Sequence, residues 1–180
     1  MQVRTWRGWW AATLLACAQV QAAGLETRAP VPAPALQAVD LQGTPRTLDD
    51  YRGRVVLLNF WAAWCPPCRR EMPSMERLRQ KMQGRPLEIV AVDSAEPIED
   101  VKAFLATMTL GFPILLDPEG VNTRRWKVYA LPTTFLLDGE GRIRYVLKGG
   151  AEWDEGEALQ AIEGLLSEID KPASRVSGGT

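Results

Sequence analysis

Apolar residues run almost unbroken from Val55 to Ala62. A run of that length, with no alternation of polar positions, predicts a strand buried on both faces. Helical spacing follows at Met72, Met75, Leu78 and Met82, and Gly84-Arg85-Pro86 ends it before a second apolar stretch, Leu87–Asp93. Together these segments form a βαβ unit. A further helix is predicted over Pro97–Met108, because Val101, Phe104, Leu105 and Met108 share one face and Pro97 suits a first turn. Phe112–Leu116 follows as a strand. Thr133–Leu137 and Ile143–Lys148 flank Asp138-Gly139-Glu140-Gly141 and pair as a hairpin, and Trp153–Ile169 closes the pattern as a helix. Upstream, Leu36–Leu41 and Pro45–Thr47 flank Gln42-Gly43-Thr44 as a smaller hairpin. Helices between and after strands, with an antiparallel hairpin late in the chain, predict an α/β fold: a mixed sheet with helices on both faces.

The two ends lack this pattern. Arg4 and Arg7 precede an apolar run from Trp9 to Ala18, and small residues continue to Ala23. The layout is that of an export signal, too short to span a bilayer comfortably. Cleavage after Ala22 is the first reading, so residues 1–22 form the signal peptide. In a second reading, Leu14-Leu15-Ala16-Cys17 is a lipoprotein box and Cys17 is acylated; in a third, the run stays as an uncleaved anchor. Each places the domain in the periplasm or another extracytoplasmic space, with membrane attachment through the N-terminus in the last two. Residues 23–34 carry Pro30, Pro32 and Pro34 without apolar periodicity and read as an extended Pro/Ala-rich linker. Residues 35–170 form the domain. Residues 171–180, with Pro172, Ser174, Ser177, Gly178 and Gly179, read as a disordered tail.

Composition narrows the chemistry. Basic and acidic residues number 21 and 22, so no net field holds nucleic acid, and no local block of Lys and Arg replaces it. Histidine is absent. That removes the usual neutral-pH base, the Ser-His and Cys-His nucleophile pairs, and imidazole ligands for zinc or haem.

Cys65-Pro66-Pro67-Cys68 lies where the apolar strand hands over to the helix. This position puts Cys65 at the positive end of the helix macrodipole, where its thiolate is favoured, and Arg69 and Arg70 stand close enough to add to the effect. Cys65 is therefore the candidate nucleophile. Cys68, one turn into the helix, is placed to resolve a mixed disulfide. Two cysteines without histidine fall short of a four-ligand zinc site. Covalent haem attachment would need histidine after the second cysteine, where Arg69 stands. A purely structural disulfide closing so short a loop would remove little unfolded-state entropy. Redox chemistry is favoured, with no metal and no cofactor.

Trp61-Ala62-Ala63-Trp64-Cys65-Pro66-Pro67-Cys68, Pro73 five residues beyond, and the later Leu131-Pro132-Thr133 resemble the thioredoxin family over about residues 35–170. The added N-terminal hairpin, the Val55–Trp61 strand and Glu71-Met72-Pro73 are similar to the membrane-associated TlpA/ResA branch and its cytochrome c maturation relatives. The resemblance implies a thioredoxin-like sheet and extracytoplasmic thiol-disulfide exchange, often reductive, with electrons from a membrane thiol protein. It also implies a cis-proline loop at Pro132 against the cysteine pair, with Leu131 beside the reactive sulfur. Trp64, Pro66 and Pro67 join these two as the substrate-contacting set, although large aromatics beside a buried strand, such as Trp61 and Trp64, are more often core or rim packing. One departure matters: cytoplasmic thioredoxins bury an aspartate where this chain has Asn59, which cannot take a proton. Glu71 shares the helical face of Cys68. Spacing alone leaves it either a solvated residue or a proton acceptor for Cys68, and the resemblance favours the second.

The expected function is therefore reduction of disulfides in exported proteins, apocytochrome c among them. Two alternatives stand beside it. The same thiolates suit Cu(I) in a metallochaperone, although methionines near the motif are lacking. A disulfide-donating oxidase needs a stabilised reduced form, yet no histidine lies between the cysteines and Pro67 precedes Cys68.

Overall fold

The computed structural model describes residues 24–170. The signal segment, Cys17 and the C-terminal tail lie outside the described residues. Eight strands form one mixed sheet: β1 Glu26–Pro32, β2 Gln37–Asp40, β3 Pro45–Thr47, β4 Val55–Trp61, β5 Leu87–Ser94, β6 Ile114–Asp117, β7 Thr133–Leu137 and β8 Arg142–Lys148. Four helices accompany them: α1 Pro66–Lys81, α2 Ile98–Leu105, α3 Val121–Arg125 and α4 Gly156–Asp170. The strand order is β1-β8-β7-β4-β5-β6-β2-β3. β4, β5 and β6 run parallel, while on the other side of β4 strand β7 runs antiparallel to it and β8 antiparallel to β7.

Strand β4 is central, and all seven of its residues are buried. Successive side chains alternate between two cores. Val55, Leu57 and Trp61 join Met72, Met75 and Leu78 of α1, Val101 and Phe104 of α2, and Ile162, Leu165 and Leu166 of α4. Val56, Leu58 and Phe60 face the other way, onto Leu36, Tyr51, Trp126 and Val128. Phe60, Trp126 and Phe135 pack ring against ring there, with centroids 5.0–6.0 Å apart. The expected fold is borne out: an α/β mixed sheet covered on both faces, with the β2–β3 hairpin added at the edge beside β6.

The segment read as a linker departs from expectation. Glu26–Pro32 pairs antiparallel with β8 as an edge strand, with every side chain exposed. It buries no face, so it carries no period-two signal. Its prolines are tolerated because one side of an edge strand needs no ladder hydrogen bonds, and the register shifts between Thr27 and Val31. Helix α3, only five residues long, is also absent from the periodicity reading.

Candidate active site

Cys65 is the N-cap of α1, in extended conformation, and Pro66 and Pro67 fill the first turn, where missing N–H groups leave nothing unsatisfied. The backbone N–H of Cys68 points at the Cys65 sulfur, 3.4 Å away. The two cysteines are joined in a disulfide, with Cα atoms 5.3 Å apart. Cys68 is completely buried and Cys65 nearly so. Trp64, by contrast, is 68% exposed, so it adds little to the core and stands free beside the sulfur pair. Trp61 is fully buried and tilts against Phe104, which makes it a packing residue. The Arg69 guanidinium sits 5.0 Å over the same Phe104 ring, and Arg70 is exposed.

The Leu131–Pro132 peptide bond is cis. Pro132 is buried, its carbonyl accepting the Gly149 N–H at 2.8 Å, and Leu131 packs against both cores. Leu131 thus bridges the two cores at this loop.

Glu71 is the most heavily engaged polar residue of the site. Its carboxylate is buried, one helical turn beyond Cys68. One oxygen, Oε1, accepts Asn59 Nδ2–H at 2.8 Å. The other, Oε2, accepts Trp153 Nε1–H at 3.1 Å and the Ala151 N–H at 3.2 Å. Asn59 also donates to Thr134 Oγ1 at 2.8 Å, while its own Oδ1 has no partner among the described residues. Burial pushes the Glu71 carboxyl up to about 7, against the pull of its three donors. A group at that value accepts or releases a proton at neutral pH. It also reaches solvent: a cleft of about 280 Å³ is lined by Pro67, Arg70, Glu71, Gly150, Ala151 and Glu152. Gly150 keeps it open, since a Cβ there would lie 3.3 Å from the Pro67 carbonyl and 3.8 Å from Glu71 Oε2.

The structure therefore brings Cys65, Cys68, Pro66, Pro67 and Glu71 onto one helix N-terminus and places the Leu131–Pro132 loop in the adjoining core. Spacing did not reveal Trp153, Ala151 and Thr134, whose contacts with Asn59 and Glu71 span 75 to 82 residues of chain. Trp153 was expected as the first residue of the last helix. It lies instead just before α4, completely buried. An isolated tryptophan at a helix boundary was the available hint.

A redox-competent dithiol capping a helix at the end of the central strand defines a thioredoxin-like protein. Residues 30–146 match the AhpC/TSA family, and the chain belongs to it. It is 42% identical over 117 residues to the thiol-disulfide oxidoreductase ResA of Geobacillus thermodenitrificans, covering 65% of this chain and 67% of that one. It is 47% identical over 120 residues to the thioredoxin-like protein YneN of Bacillus subtilis, covering 65% and 69%. Among solved structures, a thiol:disulfide interchange protein DsbE from Chlorobium tepidum superposes with a TM-score of 0.73 at 31% identity, over 78% of this chain and 99% of that one. The protein is a thiol-disulfide oxidoreductase whose reacting unit is the Cys65/Cys68 dithiol.

Proposed function

We propose that this oxidoreductase works in the reducing direction, on disulfides of exported proteins, with apocytochrome c as one substrate. The carrying observation is the buried Glu71 carboxyl one turn from Cys68, poised near neutrality by its surroundings. A carboxylate in that place disfavours thiolates, so the reduced form is not specially stabilised and gives up its electrons readily. The absence of histidine and the contact of Arg69 with Phe104 act in the same direction.

The exchange then runs in two steps. The Cys65 thiolate attacks one sulfur of the substrate disulfide, forming a mixed disulfide, and the departing substrate thiolate takes up a proton. Cys68 passes its proton to the Glu71 carboxylate and attacks the Cys65 sulfur, closing the Cys65–Cys68 disulfide and releasing the second substrate thiol. Two electrons leave the protein and two protons reach the substrate, the second by way of Glu71. Exposed Trp64, with Pro66, Pro67, Leu131 and Pro132, supplies the substrate-facing surface. A membrane thiol protein restores the dithiol.

The basic and apolar N-terminus supports an extracytoplasmic location, through a cleaved signal, acylation of Cys17 or a retained anchor. Among the described residues no helix is long and apolar enough to cross a membrane. Residues 35–170 act as the exchange domain in this reading, with β1 as an added edge. No observation favours the Cu(I)-binding or disulfide-donating alternative. Equilibration of the Cys65/Cys68 couple with glutathione or dithiothreitol buffers tests the direction. A potential near roughly −270 mV supports a reductant, and one near roughly −120 mV overturns it.

A further inference from the structure

A second buried acid lies under the reactive loop and takes no part in the exchange steps above. Asp93, near the end of β5, pairs in register with Trp61 of β4. It follows Ile89 and Ala91 on the alternating face that carries the dithiol's core. It is 0% exposed, and neither carboxyl oxygen accepts a well-formed hydrogen bond among the described residues, the Glu96 backbone N–H giving it only weak support. The Glu96 carboxyl stands within hydrogen-bonding reach of it. Glu96 is itself buried, and its Oε2 accepts the Ala63 N–H at 2.6 Å. Ala63 precedes Cys65 by two residues, in the loop between β4 and α1.

The charged groups facing Asp93 are Glu96 and, from β6, Asp117, both acids. Asp117 is occupied by the N–H groups of Asn122 and Thr123 and by the Thr123 hydroxyl. Two ionised carboxylates in contact repel, and a buried carboxylate with so little donation is strongly disfavoured. A single proton removes both penalties. With it, Asp93 O–H donates to the Glu96 carboxyl, whose Oε2 receives the Ala63 N–H.

We propose that Asp93 is a positioning residue for disulfide exchange: its proton, donated to Glu96, holds the Glu96 carboxylate on Ala63 and so fixes the loop that presents Cys65. The proposal rests on the dithiol reading only in taking Cys65 as the reacting cysteine. When Asp93 ionises, the support is lost and a second negative charge appears beneath the loop. Burial, with the neighbouring acids, pushes the Asp93 carboxyl up to about 8, so this loss falls in mildly alkaline solution.

The test is the rate of iodoacetamide alkylation at Cys65 in the reduced full-length chain, followed on the Cys65 peptide by mass spectrometry from pH 5.5 to 9.5. Wild type gives a profile stretched beyond a single thiol ionisation, because Asp93 and Glu71 both titrate in ranges that overlap the thiol's. Asp93→Asn still donates to Glu96 but cannot ionise. It is expected to keep the wild-type rate at pH 6.5 within about twofold and to give a profile narrower than wild type, retaining only the stretch that Glu71 imposes. Asp93→Leu cannot donate, and its rate at pH 6.5 should fall roughly fivefold, the equivalent of one hydrogen bond. An Asp93→Asn profile that superimposes on wild type overturns the proposal, as does an Asp93→Asn rate that falls with Asp93→Leu. Glu96→Gln, whose amide accepts from Ala63 and donates to Asp93, keeps the test open should Asp93→Asn fail to fold; a profile as wide as wild type in that variant overturns the proposal too. Alkylation needs no protein substrate. A chain that reduced no exported protein would defeat the proposed function and leave this measurement intact.

Discussion

Replacing Glu71 with glutamine should change how stability depends on pH, and the size of the change follows from the site. The folded state holds the Glu71 carboxyl at about 7 because burial disfavours its charge, whereas the ordinary value is 4.5. A group with a raised folded value favours the fold when neutral. Its contribution is therefore fully present below about pH 4.5 and is lost as pH climbs through about 7. The difference corresponds to about 3 kcal/mol for a residue as buried as this one. Glutamine fits the same space without ionising. Its carbonyl can accept from Trp153 and Ala151, and a turn of the Asn59 amide would offer the unpartnered Oδ1 to the new N–H.

Urea unfolding of the oxidised protein at several values between pH 4.5 and 8.5 measures this directly. With the disulfide closed, neither cysteine titrates, and the remaining carboxyl groups, Asp93 included, contribute equally to both proteins. Wild type should lose about 3 kcal/mol more than Glu71→Gln across the range, with most of the divergence between pH 5 and 7. Parallel curves, within about 0.5 kcal/mol, would refute the assignment of a raised carboxyl at Glu71.

In the reduced protein, Glu71→Gln should also lower the apparent thiol pKa while slowing resolution of a mixed disulfide at neutral pH, as stopped-flow with a model disulfide would reveal; wild-type values for both would make Glu71 structural only. Cys65→Ser should abolish turnover, whereas Cys68→Ser should accumulate mixed disulfides with a reactive disulfide probe, and equal trapping by both would reverse the assigned order. Trp153→Phe deletes one donor to Glu71 Oε2 and should move the pH dependence of resolution upward; an unshifted profile would show that this hydrogen bond does not tune the carboxyl. A chain beginning at residue 35 should fold with a stability loss of about 1–3 kcal/mol, since it loses the β1 ladder hydrogen bonds and only two partly buried neighbours of the cores, Leu25 and Ala33. It should also aggregate more readily through the uncovered edge of β8, and outright unfolding would show that β1 belongs to the domain.

How far the sequence discloses this molecule depends on what each segment buries. Strand β4 is legible because both faces are core, so its side chains are all apolar except Asn59, which bonds Glu71 and Thr134. Helix α1 is legible because one stripe of methionines and Leu78 meets the sheet. Strand β1 leaves no such imprint: it is held by backbone hydrogen bonds alone, and prolines mask it as a spacer. In the site, the cysteines and Glu71 lie within seven positions on one helix start, and local spacing suffices to group them. Trp153 and Thr134 reach the same point through the fold. Asp93 and Glu96 are three residues apart, yet their meeting depends on the turn after β5, where Ala95 takes a positive φ of 60°. No periodicity reports such a turn.

The neutral residue at position 59 and the acid at position 71 are better understood as one feature than as a loss and a separate gain. Asn59 Nδ2 lies 2.8 Å from Glu71 Oε1, inside the same buried pocket. An aspartate at 59 would set two carboxyl groups against each other there, and they would have to share a single proton, pushing at least one value far upward. An amide resolves this, because it donates to the carboxylate and cannot compete for its proton. The titrating group then sits on the helix that carries both cysteines, beside a cleft open to solvent, instead of on the strand behind them. On the exchange steps proposed above, an acid on the helix instead of the strand keeps a proton acceptor one turn from Cys68 with a route to water, and the amide at 59 is the condition for doing so.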